Sequence, residues 1–105
     1  MWKIVTAETF LNQSEIFPAA QPSVLKIVKN AKLYPVISKI FVFGSCIESR
    51  FSPYSDIDIY VEQDVNEHCL LGKGVQRGVD YWTSFDCDDV LLKEVEAKGV
   101  LVYER

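Results

Sequence analysis

Two stretches decide how this chain folds: Lys39-Ile40-Phe41-Val42-Phe43-Gly44-Ser45 and Asp56-Ile57-Asp58-Ile59-Tyr60-Val61. The first is a continuous run of β-branched and aromatic residues closed by glycine, which is typical of a strand buried on both faces and central in a sheet. The second alternates strictly, so its apolar residues form the core face and Asp56, Asp58 and Tyr60 lie on the other face. The chain therefore contains two strands separated by a turn-rich connection.

The residues around these strands predict an α/β (α+β) domain in which helices flank a small mixed sheet. From Pro22 to about Tyr34, apolar side chains recur at helical spacing, which leaves Lys26, Lys29 and Asn30 on the exposed side of a helix. The other predicted elements are one or two helical turns at 45–50, a loop or short helix at 65–71, a strand at 79–83, a helix from Cys87 to Lys98 capped by Asp86, and a strand at 100–103.

Residues 1–20 give the weakest pattern and are expected to form a poorly defined N-terminal extension of one domain spanning residues 1–105. A short strand is favoured by the apolar residues Trp2, Ile4 and Val5. An irregular helical piece is favoured by Phe10, Leu11 and Phe17.

Composition limits the classes of protein to which the chain can belong. With 49% hydrophobic and 25% charged residues, it is expected to fold as a soluble globular domain. A formal net charge of −4 disfavours nucleic-acid binding, which relies on clustered lysine and arginine. Cys46, Cys69 and Cys87 lack CxxC spacing, so we expect reduced thiols in the cytoplasm. No stretch resembles a signal peptide or a membrane span, so neither secretion nor a membrane partner is expected.

Three acidic residues form a candidate metal site. Asp56 and Asp58, two residues apart on one strand, project from the same face, and Asp80 lies on the next predicted strand. Carboxylates packed this closely repel one another unless a hard cation lies among them. An oxygen-only ligand set favours Mg²⁺ or Mn²⁺ over zinc.

Gly44 and Ser45 form a candidate phosphate site at the end of the first strand. Free backbone N–H groups at the start of a helical turn favour an anion. Gly44 lets the backbone approach closely, and the Ser45 hydroxyl and amide can donate to phosphate oxygens. A strand, a Gly-Ser corner, a turn and then Asp-x-Asp together indicate a metal-bridged triphosphate site.

These residues also resemble a known signature. Phe43-Gly44-Ser45 followed by Ser55-Asp56-Ile57-Asp58-Ile59 is similar to the GS(x)nDxD motif of the polymerase-β-type nucleotidyltransferase superfamily, and above all to its minimal nucleotidyltransferase (MNT) proteins. The resemblance runs from about Val24 to the C-terminus. Val79-Asp80-Tyr81 matches the third acidic strand, and the segment 98–104 resembles the usual ending of the family. The resemblance implies a nucleotidyltransferase fold.

The resemblance further implies Mg²⁺-dependent transfer of a nucleotide, usually AMP from ATP, to an acceptor hydroxyl. Asp56, Asp58 and Asp80 would hold two metal ions and orient the triphosphate, and Asp80 would help to position or deprotonate the acceptor. Many such small proteins are antitoxins paired with a helical HEPN-type toxin, which some of them silence by adenylylation. Because the domain is too small for a separate substrate lobe, a partner chain or a homodimer is expected to complete the site.

The sequence differs from the family pattern in two places. Family members usually follow the Gly-Ser pair with small and basic residues, whereas Glu48 stands here where an arginine is expected, with Arg50 as a candidate substitute. The segment 62–78 is also shorter than the usual helix. These differences keep a second hypothesis open, in which a binding module with little or no activity neutralises its partner by occlusion.

Several other residues allow both a functional and a structural interpretation. His68 is expected on the surface, Lys73 in an ordinary turn, and Cys46 as a small packed residue rather than a reactive thiol. Asp86, Asp88 and Asp89 are attributed to a helix start rather than to a metal cluster. Tyr60 and Trp82 could stack on a base, although packing is the preferred interpretation.

Overall fold

The structure is a computed structural model that describes all 105 residues. Its four strands form one sheet, and two helices pack against that sheet. The elements are α1 (Gln21–Ala31), β1 (Ile37–Phe43), β2 (Ile57–Gln63), β3 (Val79–Thr83), α2 (Asp89–Lys98) and β4 (Val100–Glu104). Three single 3₁₀ turns lie at Gln13–Glu15, Pro18–Ala20 and Gly44–Ile47.

The sheet is mixed, as predicted, with strand order β3-β2-β1-β4. β1 runs antiparallel to both β2 and β4, while β2 and β3 are parallel. The prediction that β1 is a central strand is confirmed. Because β1 is antiparallel to β2, its C-terminal end meets the N-terminal ends of β2 and β3 at one end of the sheet. The candidate site residues lie at this end.

Both faces of the sheet are covered, but unequally. The side chains of Ile57, Ile59 and Val61 join the main core with α1, which confirms the predicted core face of β2. On the other face, α2 covers a smaller cluster built on Phe43, Tyr60 and Val95. The face that carries the aspartates is therefore partly buried by α2 rather than open to solvent.

Asn30 is a correction to the predicted helix face. Its side chain is buried at 7% exposure, not turned to solvent. Nδ2 donates 2.8 Å hydrogen bonds to the carbonyl oxygens of Leu71 and Lys73. Asn30 therefore ties the 71–74 turn to α1, a contact across 41 residues of sequence that helical periodicity does not reveal.

Residues 65–71 form a loop, which is one of the two structures predicted for them. The predicted cap of α2 is wrong. Asp86 does not cap α2: its Oδ1 accepts from the backbone N–H of Thr83 and closes the turn after β3. Asp88 is the N-cap residue, and its Oδ1 accepts from Leu91 N at 2.8 Å. Both acids are able to cap a helix, but Asp86 is used by the turn, so Asp88 caps α2.

The N-terminal extension is ordered by two buried glutamines rather than by a strand. No strand forms in residues 1–20. Gln21 Nε2 donates to the carbonyl oxygens of Lys3 and Ile16, and its Oε1 accepts from Val5 N. Gln13 Nε2 donates to Gln21 Oε1 at 2.9 Å. Buried amides must be paired in this way, so the network fixes the path of a segment that has little regular structure.

None of the three cysteines is paired in a disulfide: Cys46 and Cys69 are buried, and Cys87 is half-buried. None of the helices has the length and apolar character needed to cross a membrane.

Candidate active site

The strand pairing brings two of the predicted acids together. Asp58 on β2 is directly opposite Asp80 on parallel β3, and opposite Phe43 at the end of β1. The Asp80 carboxyl group lies near enough to Asp58 to raise the pKa of Asp58. Neighbouring side chains on one face of a sheet are close enough for this contact.

Asp58 is in an environment that disfavours its ionised form. Burial first, and then contact with the Asp80 carboxyl, raise the pKa of Asp58 to about 6, and the charges of Asp80, Asp56 and Glu94 contribute in the same direction. Neighbouring carboxyl groups repel one another when both are ionised, so Asp58 keeps its proton to a higher pH. A divalent cation would replace that proton, so the pair has the chemistry of a hard-metal site.

The raised pKa of Asp58 predicts a pH-dependent stability. Because the folded state binds the extra proton, the free energy of unfolding falls as pH rises from about 4, the ordinary pKa of aspartate, to about 6. Asp58→Asn removes this contribution. At about pH 8 the variant is expected to exceed the wild type by on the order of 1 kcal/mol, allowing for solvent screening of a half-exposed group.

Urea unfolding of both proteins at about pH 4 and about pH 8 measures this difference. The two are expected to be equally stable at the lower pH. A difference that stays constant with pH would contradict the raised pKa.

Gly44 makes room for the Asp58 carboxylate. Its φ is +75°, in the region that favours glycine, and an ideal Cβ at Gly44 would lie 2.5 Å from Asp58 Oδ2. The Gly-Ser corner and the acidic pair are thus in van der Waals contact. Gly44 also begins the 3₁₀ turn predicted after β1, in which Ser45 is half-buried.

Asp56 lies apart from the acidic pair. It is exposed, and its carboxylate packs against Gly78, where a Cβ would overlap Oδ1. No group of three or more His, Cys, Asp or Glu side chains is arranged around a possible metal position in this conformation. The structure therefore forms a two-carboxylate pair, Asp58 and Asp80, with Asp56 just before β2. A metal-binding role for all three stays a prediction.

The unexpected acid Glu48 is paired within the chain. Its Oε2 accepts from Nε of Arg50, and hydrogen bonding and the charge of Glu48 raise the pKa of Arg50. The charges of Asp58 and Glu94 reach Arg50 as well. Arg50 is therefore a cation at the border of the acidic site, and its ion pair offsets the negative charge of Glu48.

Three residues around the site were missed by the sequence analysis. Glu94 on α2 adds a fourth acidic charge near Asp58, Gly78 accommodates Asp56, and Arg77 contacts the loop before β2. Only Gly78 carried a sequence signal, because glycine directly before a strand often marks a close approach. The other two depend on long-range packing.

A groove of about 610 Å³ lies beside Asp80, along the outer edge of β3. Its walls are residues 68–73 and 79–81, and five of the nine lining residues are hydrophobic. β3 is the edge strand of the sheet, and Asp80 is among the residues that line this groove.

The other residues for which the sequence allowed a functional role have the structural roles preferred for them. Cys46 is fully buried, and burial raises the pKa of its thiol to about 11, so it is a packed residue rather than a nucleophile. Tyr60 and Trp82 pack in the cluster beneath α2. His68 is exposed, and Lys73 lies in a turn.

Comparison with known families decides the classification. The family model described as "Nucleotidyltransferase domain" matches residues 23–102, which is most of the chain and includes every candidate site residue. This chain belongs to the nucleotidyltransferase domain family. No curated protein sequence matches it.

Solved structures share the nucleotidyltransferase fold. A chain from a crystal structure of a toxin–antitoxin with AMP-PNP is 20% identical, with a TM-score of 0.64 over 90% of this chain and 75% of that one. A chain from a mutant of the toxin–antitoxin MntA-HpeT is 22% identical, with a TM-score of 0.59 over 81% and 72%. At this identity the likeness establishes the fold, in agreement with the resemblance to MNT proteins.

Proposed function

We propose that this nucleotidyltransferase domain transfers AMP from ATP to a hydroxyl group of a partner protein or small acceptor. The observation that carries the proposal is the contact of the Asp58–Asp80 pair with Gly44. It unites the carboxylates and the Gly-Ser corner of the family signature at one end of the sheet. The match to the nucleotidyltransferase family over residues 23–102 supports the reaction class.

The site has the residues that a Mg²⁺-dependent reaction needs. Asp58 and Asp80 would hold the cation, with Asp56 as a further ligand. The raised pKa of Asp58, caused by burial and by the neighbouring Asp80 carboxyl, fits this role. When bound, Mg²⁺ neutralises the carboxylates and stabilises charge on the attacking and leaving oxygens.

The remaining residues bind and orient the substrates. Gly44 and Ser45 bind the β- and γ-phosphates through backbone N–H groups and the serine hydroxyl. Arg50 adds a positive charge beside the acidic residues. It takes the role of the family's arginine, whose position is occupied here by Glu48. The neutralising ion pair between Glu48 and Arg50 favours nucleotide binding over exclusion.

The acceptor hydroxyl approaches through the groove beside Asp80. Asp80 accepts its hydrogen bond and takes up the proton as the acceptor oxygen forms a bond to the α-phosphorus. The bond from that phosphorus to the pyrophosphate oxygen breaks, and pyrophosphate leaves. The groove is open along the edge of β3, so it can admit a residue of another protein.

The fold relatives point to the class of acceptor. One relative is a toxin–antitoxin chain solved with AMP-PNP, and another comes from the MntA-HpeT pair. We propose by analogy that this chain is a cytoplasmic antitoxin and that its acceptor is a HEPN-type toxin. An antitoxin that acts by occlusion alone is the second candidate, because Glu94 and the three aspartates make the site acidic toward a polyphosphate.

Incubation with ATP labelled at the α-phosphate distinguishes these candidates. The chain is incubated with Mg²⁺ and the protein that co-purifies with it, and label and intact mass are followed for both. The expected result is label on the partner with wild-type chain and none with Asp58→Asn. An unmodified partner that stays inhibited by the double variant Asp56→Asn, Asp58→Asn would instead establish occlusion.

A further inference from the structure

Arg77 lies just before β3 and joins that strand to the loop that leads into β2. Its Nη1 is within hydrogen-bond distance of three backbone carbonyl oxygens, at 3.1 Å, 3.1 Å and 3.3 Å. These oxygens belong to Ser52, Pro53 and Ser55, respectively. One side chain thus binds nearly the whole turn that precedes Asp56.

The guanidinium of Arg77 also stacks on an aromatic ring. Its central carbon lies 4.6 Å from the ring centroid of Phe51, which is buried in the main core. Stacking on a buried ring fixes the plane of the guanidinium and hence the direction of its N–H groups. The turn is therefore held to the core through Arg77.

Asp56 follows this turn directly and is held on its other side by the residue after Arg77. The Asp56 carboxylate packs against Gly78, and Ile57 N donates to Gly78 O at 2.9 Å. Arg77 and Gly78 together therefore fix the position of Asp56 just before β2. No other side chain makes three contacts with this turn.

We propose that Arg77 is a positioning residue for the proposed metal site, acting through Asp56. It holds the 52–55 turn and so fixes the backbone from which the Asp56 carboxylate, packed against Gly78 in this structure, would turn toward Asp58 and Asp80 to bind a divalent cation. This inference rests on the proposed function, since it assigns Arg77 a role in the affinity of that same site. Residues that orient metal ligands typically change metal affinity ten- to hundredfold when they are replaced.

The direction in which cation affinity changes when Arg77 is replaced distinguishes a positioning role from a simple effect of its charge. A positive charge close to a cation site opposes cation binding, so loss of the charge alone would strengthen the binding. Loss of positioning weakens it. Lysine keeps the charge but cannot reproduce the planar fork that contacts several carbonyl oxygens while it stacks on Phe51.

Binding of Mn²⁺ to the apo chain, measured by electron paramagnetic resonance of the free ion, tests the inference. Arg77→Lys and Arg77→Gln are each expected to weaken Mn²⁺ binding about tenfold. Arg105→Lys is the matched control. Arg105 also uses Nη1 to contact a backbone carbonyl, that of Pro35, but lies beyond β4 and is expected to leave the Mn²⁺ affinity unchanged.

Melting temperatures of the same variants exclude a merely structural role. If Arg77→Lys lowers the melting temperature but leaves the Mn²⁺ affinity at the wild-type value, the inference is wrong. Tighter binding by Arg77→Gln together with unchanged binding by Arg77→Lys would also overturn it. Phe51→Leu, which removes the stacked ring but keeps an apolar side chain, provides a third variant if the others do not fold. It is expected to weaken binding in the same direction.

Mn²⁺ binding by the wild-type chain shows whether a negative result contradicts this inference or the proposed function. Saturable Mn²⁺ binding that Asp58→Asn abolishes establishes the metal site, and the Arg77 variants then test positioning alone. If the wild type shows no such binding, the proposed function itself fails.

Discussion

Asp58→Asn is expected to lower the rate of nucleotide transfer by on the order of a thousandfold while leaving the domain folded. Asparagine keeps the size of the side chain but removes the charge that would hold a cation beside Asp80. It also removes the partly buried charge whose burial and repulsion by nearby acids raise the pKa of Asp58, so the variant should gain stability at neutral pH. Opposite effects on activity and stability are typical of residues retained for function.

The rate is measured as label transferred from ATP to the partner protein, with Asp64→Asn as the matched control. Asp64 follows β2 and is exposed in an ion pair with Arg105, at 2.7 Å. Its loss is expected to leave transfer unchanged and to cost less than about 1 kcal/mol of stability. Equal rates for wild type and Asp58→Asn would show that the acidic pair does not take part in transfer.

Gly44→Ala is expected to reduce kcat/KM for ATP by about a hundredfold, the effect of displacing a catalytic group by about 1 Å. The new methyl group would overlap Asp58 Oδ2, so the carboxylate has to shift from its position beside Asp80. The positive φ of Gly44 adds roughly 1–2 kcal/mol of backbone strain, which lowers stability as well.

Gly74→Ala is the control that introduces similar backbone strain without displacing the Asp58 carboxylate. Gly74 has nearly the same φ, +78°, but a Cβ there meets the flexible side chain of Lys26. Both variants are expected to lose similar stability in urea unfolding, while only Gly44→Ala loses activity. If Gly74→Ala loses as much activity as Gly44→Ala, the contact between Gly44 and Asp58 is not the cause.

Most of the fold was predictable because its elements have strong local patterns. The apolar run of β1 and the strict alternation of β2 give the central strand and the face of the aspartates. β3, α2 and β4 were predicted within a few residues because capping residues, glycines and short apolar runs mark their ends. These signals act over distances of a few residues, so sequence alone reveals them.

The errors occurred where long-range contacts decide the conformation. Asn30 has a position on α1 that suits solvent, yet it pairs with carbonyl groups of a turn 41 residues later. Gln13 and Gln21 order the N-terminal extension through contacts between polar side chains, which apolar periodicity does not describe. The error at the α2 cap is local instead: Asp86 and Asp88 are equally good caps by residue type, and the turn that Asp86 closes with Thr83 selects between them.

At the candidate site, too, local sequence patterns were predictable and long-range contacts were not. The Gly-Ser corner and the acids were identified because the spacing of residue types along two strands is itself the signal. The structure adds that Gly44 and Asp58 are in contact and that Glu48 is paired with Arg50. Glu94 and Arg77 approach the site from α2 and from the segment before β3, and their sequence positions contain no indication of this proximity.

Calorimetric titration with a non-hydrolysable ATP analogue tests the central claim most directly, because it measures binding at the acidic pair and the Gly-Ser corner without requiring the partner. The account predicts saturable binding in the presence of Mg²⁺ that disappears when EDTA replaces the metal and is absent in Asp58→Asn. Binding that is equally strong without the metal, or no binding by the wild type at millimolar nucleotide, would contradict it.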